Sequence, residues 1–379
     1  MRIGVFGGSF DPVHTEHIAL ARRAKEELGL EKLFVMPAFA PPHKSGRTLS
    51  PDRCRLELCR LAFEGIDGVF VSDYEISRGG TSYTYLTLRH FRSLYPDAEL
   101  FFLVGTDMLR DFPTWKRPEE ILSLATLAVC ARAEEVGWRQ KEGAAFEERF
   151  GQSFAVIPYE GKDISSTKIR VLAGAGEDLT PFVGEKAAAY IRENRLYEIF
   201  GATPALAMEK PNRRAHSVRV ALLAAKRANS LKIPEKQAIQ AALLHDCAKN
   251  LSADSPYLEG FTPPKGVPPA VLHQYAGAFV AKTVLGVTDE EVLSAIECHT
   301  SGKVGMSKLD KLIFLADLVE EERSYEGVEL LRKLFWEDLD ECLRVALQET
   351  VKYLKRGGGE IYQKTLDACE YYQKKENKE

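Results

Sequence analysis

The feature that most constrains this chain is the segment between its first predicted strand and its first predicted helix. Residues Gly7–His17 read GGSFDPVHTEH and follow the apolar run Ile3–Phe6. Two glycines let a backbone approach a phosphate closely, and the helix start offers N–H groups and the positive end of a dipole. His14 and His17 are three residues apart, so both rings are expected on one face of the first helical turn. The segment therefore predicts a polyphosphate site for nucleotidyl transfer, where positioning and charge neutralisation supply most of the catalysis.

Length and composition restrict the class of protein. The chain has 379 residues, enough for two domains of ordinary size, with 45% hydrophobic and 28% charged residues as in a soluble globular protein. A net charge of −4 gives no broad nucleic-acid footprint. No apolar run approaches the roughly 20 residues of a membrane span, and no leader peptide is expected. The seven cysteines form no Cys-x-x-Cys pair, which predicts reduced thiols and a cytoplasmic location.

Short apolar runs alternate with helical stretches over the first half of the chain. The strand candidates are Ile3–Phe6, Leu33–Met36, Val69–Ser72, Leu100–Val104, Leu127–Ala131 and Phe154–Ile157. Helical periodicity lies between most of them, for example over Ile18–Leu28 and Arg53–Phe63. This alternation predicts an α/β fold with a doubly wound, mainly parallel, Rossmann-like sheet. Ligands bind beyond the carboxyl ends of such strands, where Gly7, Gly105 and the loop after Met36 would lie.

The second half of the chain has a different pattern. From His216 to Tyr353 no strand is expected, and segments such as Lys236–Cys247 have helical periodicity. The segment Gly201–Pro204 reads as a boundary. The sequence therefore predicts an α/β domain over residues 1–199 and an all-α domain over residues 205–379.

Four further segments extend the candidate phosphate site. They are Pro41–Lys44 after the second strand, Gly79–Thr84, Gly105–Asp107 after the fourth strand, and Ile164–Arg170. The first segment supplies two potential cations, and the second is a loop rich in backbone donors. Asp107 is suited to ribose hydroxyls because Gly105 permits close approach. The fourth segment reads as a helix start with hydroxyl caps and with Arg170 in its first turns, an anion site aimed at a triphosphate.

With these segments in order, residues 1–199 resemble the bacterial nicotinate-nucleotide adenylyltransferases of the nucleotidyltransferase α/β-phosphodiesterase superfamily. The matching motifs are GGSFDPVHTEH, PPHK, GGTSYT, VGTDML, the PTW that ends at Trp115, ISSTKIR and the closing segment Tyr190–Tyr197. The resemblance implies a step of NAD biosynthesis. In that step ATP and nicotinate mononucleotide give deamido-NAD and pyrophosphate, with Mg²⁺ as the cofactor.

The same resemblance implies a role for each matching residue. His14 and His17 would steady the α-phosphate as charge develops. ATP would be bound by Gly7, Gly8, Ser9, Phe10, His17, Gly105, Asp107, Ser165, Ser166 and Arg170, the last three at the β- and γ-phosphates. Nicotinate mononucleotide would be bound by His43, Lys44, Thr84 and Trp115. Lys44 would face its phosphate, Thr84 its carboxylate, and Trp115 would stack on the ring.

One residue departs from the usual His-x-Gly-His pattern of these enzymes, because Glu16 replaces the glycine. A carboxylate beside a polyphosphate is unfavourable unless it points to solvent or binds Mg²⁺. Neighbouring helical residues lie about 100° apart. Glu16 is therefore expected to point away while both histidines face inward.

The helical half carries a set of residues suited to metal binding. His216, His245, His273 and His299 are separated by 29, 28 and 26 residues, so each is expected on its own helix or helix end. Asp246 and Asp317 each end an apolar run, where a carboxylate is costly unless it is paired or bound to a metal. Imidazoles with carboxylates suit Fe, Mn, Zn or Ni, and the lack of thiolates argues against structural zinc.

The His…His-Asp…Asp order is the signature of the HD hydrolase superfamily. With the segments LHDCAK, HTSG and FLAD, residues 205–355 resemble the bacterial HD enzymes that cleave diadenosine tetraphosphate (Ap4A) symmetrically to two ADP. The resemblance implies two divalent metals, Fe in the first place and Mn as an alternative. Their ligands would be His216, His245, Asp246, His273, His299 and Asp317, with Asp246 as the bridge. Lys249 and Arg323 would neutralise the polyphosphate, and the acidic cluster Glu320–Glu322 is expected to be solvated.

Two alternatives to Ap4A hydrolysis stay open for the helical domain. It is either a different nucleotide phosphohydrolase, because the pocket walls and not the ligands set specificity, or a nucleotide-sensing regulatory module. The complete six-ligand set favours an enzyme. The expected partners are ATP, nicotinate mononucleotide and a dinucleoside polyphosphate, without nucleic acid or a membrane, and the sequence is compatible with a homo-oligomer.

Overall fold

Six parallel strands form the sheet of the first unit in the computed structural model, which describes residues 1–42, 48–132, 137–358 and 361–375. The strands are β1 (Arg2–Gly8), β2 (Lys32–Pro37), β3 (Val69–Val71), β4 (Glu99–Gly105), β5 (Thr126–Arg132) and β6 (Ala155–Tyr159). Their order across the sheet is β3-β2-β1-β4-β5-β6, and each neighbouring pair is parallel. The predicted strands and the predicted parallel sheet are confirmed.

Helices connect the strands and cover both faces of the sheet. They are α1 (Thr15–Leu28), α2 (Asp52–Phe63), α3 (Tyr74–Arg78), α4 (Thr84–Leu94), α5 (Thr106–Asp111), α6 (Pro118–Leu124), α7 (Ala144–Phe150), α8 (Ser166–Gly174), α9 (Thr180–Val183) and α10 (Glu185–Glu193). Ile3 and Val5 share a core cluster with Phe91 of α4 and Ile121 of α6. Helices α1 and α2 contact β1 to β3 outside that cluster. The run Leu100–Val104 is buried throughout, as expected for a strand covered on both sides.

The strand order reverses direction beside β1, which lies between β2 and β4. In doubly wound sheets this switch point opens a crevice at the carboxyl ends of the strands, where ligands bind. Gly7 and Gly8 end β1, and Gly105 ends β4. The fold therefore places the predicted glycine-containing motifs on the two sides of that crevice.

The second unit is helical, as its periodicity predicts. Its helices are α11 (Ala202–Ala207), α12 (Pro211–Ala228), α13 (Glu235–Leu244), α14 (Pro269–Thr283), α15 (Glu290–Cys298), α16 (Lys308–Val319), α17 (Val328–Glu337), α18 (Leu339–Arg356) and α19 (Gln363–Lys375). No strand occurs in the described residues after β6. Helix α13 is central, because its run Ala241–Leu244 is fully buried and it contacts α12, α15 and α16.

The chain divides into two compact units. The first comprises Met1–Ile169 and Asp178–Leu196, and the second comprises Arg170–Glu177 and Tyr197–Glu379. The segment Gly201–Pro204, predicted as a boundary, instead starts α11, in which Ala202 and Ala205 are fully buried. Gly201 has φ +80°, a left-handed conformation that glycine adopts without strain, and this turn starts the helix. None of the described helices combines the length and the apolar character needed to cross a membrane.

Candidate active sites

The candidate ATP site begins where β1 ends and α1 starts. His14 immediately precedes α1, and its backbone N–H donates to Nδ1 of His17 at 3.1 Å. The two imidazole rings lie side by side, with centroids 3.7 Å apart and planes 31° apart. The structure thus brings the two histidines onto one face, as their spacing predicts.

The loop between β1 and α1 is supported by an aromatic ring and by a buried arginine. Phe10 has φ +46°, and its ring packs edge-on against His17 with centroids 5.0 Å apart. A Cβ on Gly8 would lie 3.0 Å from that ring, so a side chain there would displace it. Arg55 of α2 is only 1% exposed and donates to the carbonyl of Ser9 at 2.9 Å. Sequence reasoning missed Arg55. Its position among the buried apolar residues of an amphipathic helix is the feature that could have indicated a structural role.

Asp107 lies in the first turn of α5, directly after β4, and its side chain is exposed. A Cβ on Gly105 would lie only 2.6 Å from Oδ1 of Asp107. A side chain at position 105 would therefore displace this carboxylate from its position over the end of the strand. The ribose contact stays a prediction.

The loop Gly79–Thr84 is fastened to the loop after β2. The hydroxyl of Ser82 accepts from the backbone N–H of Phe39 at 2.9 Å, and the backbone N–H of Ser82 donates to the carbonyl of Ala40 at 2.9 Å. Thr84 begins α4, so its backbone lies at a helix N-terminus. Trp115 is half-buried and packs against Phe112, with ring centroids 5.3 Å apart. His43 and Lys44 lie outside the described residues.

The start of α8 lies close to the β1–α1 loop. Ser165 caps α8, since its hydroxyl accepts from the backbone N–H of Lys168 at 3.2 Å. The hydroxyl of Ser166 donates to the carbonyl of Pro12 at 2.9 Å. Arg170, predicted to reach the triphosphate, instead forms a bidentate ion pair with Glu235, with N···O distances of 2.6 and 2.9 Å. Its guanidinium is therefore neutralised by a carboxylate in this structure.

Glu16 does not reach solvent. Its residue is 9% exposed, and its Oε2 accepts from the Tyr159 hydroxyl and, at 2.8 Å, from the backbone N–H of Lys162. The sequence predicts that Glu16 points away from the two histidines, and the structure adds that its carboxylate is buried against protein and not exposed to solvent. The loop that follows β6 covers it.

The second candidate site is made by six side chains from five helices. His216 lies on α12, His273 on α14 and Asp317 on α16. His245 ends α13 with Asp246 directly after it, and His299 ends α15. The residues come from five different helices, as the long spacings between the histidines predict.

The six predicted ligands converge around Asp246. Its Oδ1 lies 3.3 Å from Nε2 of His299 and 3.4 Å from Nε2 of His273, and its Oδ2 lies 3.5 Å from Nε2 of His245. Nε2 of His216 lies 2.8 Å from Oδ1 of Asp317. Two groups of three residues share His245, and within each group the ligand atoms lie within 4.8 Å of one another. The first group is His216, His245 and Asp317, and the second is His245, Asp246 and His299. This is the type of His/Asp cluster with which HD domains bind divalent metals.

The protonation of the cluster also fits a metal. Nδ1 of His245 lies 2.6 Å from the carbonyl of Ala242, and Nδ1 of His299 lies 2.8 Å from that of Ile296. Each Nδ1–H therefore donates to backbone, which leaves Nε2 as the ligand atom. Within the described residues, Nε2 of His216, Nε2 of His245 and Oδ1 of Asp246 are buried, and their close contacts to other predicted ligands lack hydrogen-bond geometry. A bound cation would satisfy these buried atoms, so the residues fit the implied metals.

Burial sets the charges of the cluster. It lowers the pKa of His245 to about 4 and that of His273 to about 3, so both rings are neutral at physiological pH. Burial alone would raise the pKa of Asp246, but the neighbouring imidazoles of His245 and His299 outweigh it and hold that pKa well below its usual range. Neutral imidazoles and ionised carboxylates are the forms that bind metals.

Three cationic side chains border the cluster. Arg213 donates to Oδ2 of Asp246 at 2.9 Å, and Arg323 contacts Oδ1 of Asp317. Nζ of Lys249 lies 2.9 Å from Nε2 of His273. Lys249 and Arg323 thus lie beside the predicted ligands, while their contact with a polyphosphate stays a prediction. Arg213 is an addition that sequence reasoning missed. Together they form a positive rim suited to phosphate oxygens.

Comparisons with known proteins agree with this division. Residues 5–172 match the cytidylyltransferase-like family, and residues 213–322 match the HD domain family. A Mycoplasma genitalium protein named "Probable nicotinate-nucleotide adenylyltransferase/Ap4A hydrolase" is 31% identical over 367 residues, covering 93% of this chain and 99% of the relative. The chain belongs to this bifunctional family.

Two further proteins are similar to one half of the chain each. A Clostridium botulinum protein named "Probable nicotinate-nucleotide adenylyltransferase" is 40% identical over 200 residues, covering 52% of this chain and 98% of the relative. A solved structure from Clostridium acetobutylicum, described as a "predicted HD superfamily hydrolase involved in NAD metabolism", is 31% identical with a TM-score of 0.42. The match covers 46% of this chain and 96% of the chain in that structure.

The sequence predicts that Glu320 is solvated, but in this member of the bifunctional family it is buried. It is 3% exposed and accepts from Nε of Arg219 at 2.7 Å, and its Oε1 lies 3.1 Å from Nδ1 of His216. The expectation fails because Glu320, directly after α16, lies against α12 and contacts His216 and Arg219 there. Glu321 and Glu322 are exposed, as expected. Glu320 therefore orients His216, a role that the sequence gave no local sign of.

Gln274 is a second residue that sequence reasoning missed. It is fully buried, and its Oε1 accepts from the backbone N–H groups of Thr300 and Ser301 at 3.2 and 3.0 Å. Its Nε2 donates to the hydroxyl of Ser301 at 2.9 Å. Because Gln274 follows His273 and Thr300 follows His299, this side chain fixes the spacing between two of the histidines.

Proposed function

We propose that the chain is a bifunctional enzyme of NAD biosynthesis and nucleotide hydrolysis. Residues 1–199 transfer an adenylyl group from ATP to nicotinate mononucleotide, and residues 205–379 hydrolyse Ap4A to two ADP. The observation that supports the first activity best is the paired His14 and His17 at the start of α1, beside the glycine turn that ends β1. The name of the full-length Mycoplasma genitalium relative supports both activities.

In the adenylyl transfer, a phosphate oxygen of the mononucleotide attacks the α-phosphorus of ATP, and pyrophosphate leaves. His14 and His17 donate to the α-phosphate oxygens as their charge grows, with the helix start contributing backbone N–H groups. Gly7, Gly8, Ser9 and Phe10 form the turn along the triphosphate, while Gly105 and Asp107 hold the ribose. Mg²⁺ would arrive with the phosphates, which is the usual way this ion binds.

Further residues complete the two substrate sites of this proposal. Ser165 and Ser166 bind the β- and γ-phosphates from the start of α8. Arg170 joins them only when its ion pair with Glu235 opens. On the mononucleotide side, His43 and Lys44 bind the phosphate, while Thr84 and Trp115 contact the nicotinate.

The test is product formation by the purified full-length chain with ATP, Mg²⁺ and nicotinate mononucleotide. We expect deamido-NAD and pyrophosphate in equal amounts, and loss of both in His14→Ala. Nicotinamide mononucleotide in a parallel reaction measures the preference between the two bases. If neither mononucleotide is adenylylated, the proposed function of this half is overturned.

For the helical half, we propose metal-dependent hydrolysis. The single observation that supports it best is the convergence of four imidazoles and two carboxylates, whose buried ligand atoms include three that form no hydrogen bond among the described residues. His216, His245, Asp246 and Asp317 would hold one divalent metal, and His273 and His299 would hold a second with Asp246 as the bridge. Fe is the proposed metal and Mn the alternative. When bound, two such metals supply Lewis-acid polarisation of a phosphoryl group and activation of a water.

The protein's own residues bind and orient the polyphosphate. Arg213, Lys249 and Arg323 neutralise its charge around the cluster, as their distances to Asp246, His273 and Asp317 indicate. Lys249 is suited to act at the cleaved phosphoryl group, because burial lowers its pKa and so eases proton donation to the leaving oxygen.

The test is Ap4A hydrolysis by the metal-loaded chain, with Fe²⁺ and Mn²⁺ in separate reactions. We expect ADP as the sole product, and more than about a hundredfold loss in Asp246→Ala, since even the partners of metal ligands are worth up to that factor. Hydrolysis of dAMP or ppGpp in place of Ap4A would identify a different phosphohydrolase. Binding without turnover of any of them would identify a sensing module. We propose a cytoplasmic location for the enzyme, supported by its unpatterned cysteines.

A further inference from the structure

We infer that Glu16 is a positioning residue for adenylyl transfer. Its carboxylate holds the loop between β6 and α8 against the start of α1. The inference rests on the proposed ATP site, because that site draws on both sides of this contact. His14 and His17 lie on one side, and Ser165 and Ser166 lie on the other.

The contact is made by one oxygen of the carboxylate. Oε2 of Glu16 accepts both from the Tyr159 hydroxyl and from the backbone N–H of Lys162, the latter at 2.8 Å. The Tyr159 hydroxyl also lies 3.3 Å from the backbone carbonyl of Glu16. A carboxylate on a residue that is 9% exposed is costly unless donors satisfy it. The last residue of β6 and the loop that follows it supply these donors, so the burial of Glu16 and the position of the loop depend on each other.

The loop is also shaped to admit the carboxylate. A Cβ on Gly161 would lie 3.1 Å from Oε2 of Glu16 and 2.6 Å from the ring of Tyr159. A side chain at this position would push against both members of the contact. Gly161 therefore belongs to the same arrangement, since it leaves the space in which Glu16 and Tyr159 meet.

A second hydrogen bond holds the other end of the loop. The hydroxyl of Ser166 donates to the carbonyl of Pro12 at 2.9 Å. The loop is thus fastened to the β1–α1 region on both sides of Ser165, which caps α8. Two groups that bind one triphosphate must keep a fixed distance, because small misplacements reduce catalysis strongly. Glu16 provides one of the attachments that fix this distance.

This role depends on hydrogen-bond acceptance and not on charge. A glutamine at position 16 offers a carbonyl oxygen that can accept from both Tyr159 and Lys162, while it removes the negative charge. An alanine removes the acceptor and the charge together. The two substitutions therefore separate positioning from electrostatic repulsion of ATP.

The experiment compares Glu16→Gln and Glu16→Ala in the full-length chain, with initial rates measured against ATP at saturating nicotinate mononucleotide. Glu16→Ala loses two hydrogen bonds, so we expect KM for ATP to rise about tenfold with a smaller change in kcat. Glu16→Gln should stay within about twofold of the parent. Glu26→Ala is the matched control, because this carboxylate lies on the same helix with its side chain 73% exposed.

Hydrogen exchange of the peptide spanning residues 159–165 gives a readout that does not depend on activity. We expect faster exchange in Glu16→Ala and parent-like exchange in Glu16→Gln. Tyr159→Phe removes one donor and should give an intermediate KM for ATP. In combination with Glu16→Ala it should add little, because the two residues share one contact.

The outcomes separate this inference from the proposed function. Parent-like KM and exchange in Glu16→Ala would overturn the positioning role while adenylyl transfer stands. Tighter ATP binding in both variants would show that the charge of Glu16 opposes ATP, which also contradicts it. If the parent chain makes no deamido-NAD but the loop still loses protection in Glu16→Ala, the proposed function fails and the contact remains structural.

Discussion

The two candidate sites place their chemistry on different kinds of support. In the first unit, the proposed ATP-binding residues lie on loops and helix starts at the carboxyl ends of strands, and Asp107 is exposed while His17 is partly exposed. In the second unit, the six proposed metal ligands lie on helices or at their ends, and His245 and Asp246 are at most 2% exposed. The loop site relies on backbone N–H donors, which stay hydrated in the free protein and so carry little desolvation cost. The helical site relies on buried titratable groups, which cost desolvation until they are paired.

From this difference we expect a substitution in the first site to reduce activity with little loss of stability. A substitution in the second site should reduce both. A polar group on a partly exposed loop can be lost without leaving a buried partner unsatisfied. A ligand in the buried cluster cannot, because its neighbours then lose their compensation. Each prediction that follows tests one side of this contrast.

The largest expected effect is on adenylyl transfer in His17→Ala. Loss of a donor to the charge that develops in the transition state should lower kcat/KM by about 10²–10³. The melting temperature should fall by no more than the loss of one helix cap explains, because the backbone N–H of His14 loses its acceptor, and Ap4A hydrolysis should stay close to that of the parent. Steady-state kinetics of both reactions, with thermal melts of each protein, provide the measurement. A parallel fall in hydrolysis, or a larger loss of stability, would show that the loop site is not independent in the way its exposure suggests.

The second prediction concerns acid sensitivity of the metal-free helical unit. The pKa of His245 is about 4 in the folded chain, against an ordinary value of 6.5. Between these values the unfolded chain binds the additional proton, so the stabilisation present above 6.5 is lost as the pH falls. From about pH 7 to about pH 5 the loss should be on the order of 2 kcal/mol for this residue.

Chemical denaturation in the presence of a chelator, monitored by hydrogen exchange, measures this loss. Protection of α13 should fall with acid before protection of β4. His245→Gln serves as the comparison, because it removes the titrating group and should flatten the dependence on pH. An unchanged slope in that variant would mean that other groups control the acid response.

Local pattern explains why the fold could be predicted. The strands were predicted from short apolar runs, and the helical unit from periodicity, and both signals lie within a few consecutive residues. The glycine turn with His14 and His17 is equally local, since its residues lie within one loop and one helical turn. The six proposed metal ligands are distant in sequence, yet their order and residue types form a pattern that can be recognised before any contact is known.

The contacts that the sequence did not predict are long-range pairs. Glu320 meets His216 across 104 residues, Lys162 meets Glu16 across 146, and Arg170 meets Glu235 across 65. Each pair involves a charged residue whose local pattern is also typical of a solvated surface. Only the folded chain shows that these groups are buried, and burial decides whether they act as orienting partners. The sequence therefore predicts which residues do the chemistry better than it predicts which residues hold them.

The third prediction tests an orienting partner in the helical site. In Glu320→Gln the carboxylate that faces Nδ1 of His216 becomes an amide, and one of its contacts to His216 or Arg219 is lost. Loss of such a partner should weaken metal affinity by about tenfold. Calorimetric titration of the chelator-treated protein with Mn²⁺ provides the measurement. Glu321→Gln is the control, because that neighbouring carboxylate is exposed, and equal losses in both variants would contradict the assigned role.

The smallest expected effect comes from a buried carboxyl group near the cluster. Glu209 is 9% exposed and accepts from the Ser217 hydroxyl at 2.9 and 3.1 Å. Burial, with a further contribution from Asp246, raises its pKa to about 8 from an ordinary value of 4.5. The folded chain thus favours the protonated form. The stabilisation is complete below 4.5 and is lost as the pH rises through about 8.

Glu209→Gln fixes this side chain in a neutral form and keeps an oxygen for Ser217. At about pH 5.5 the variant should be more stable than the parent by on the order of 1 kcal/mol, whereas at about pH 4 the two should be nearly equal. Urea denaturation at both pH values measures the difference. A gain of the same size at both would trace the effect to packing and not to charge. A gain confined to the higher pH would show that the helical unit limits the negative charge beside Asp246 by keeping a neighbouring carboxyl protonated.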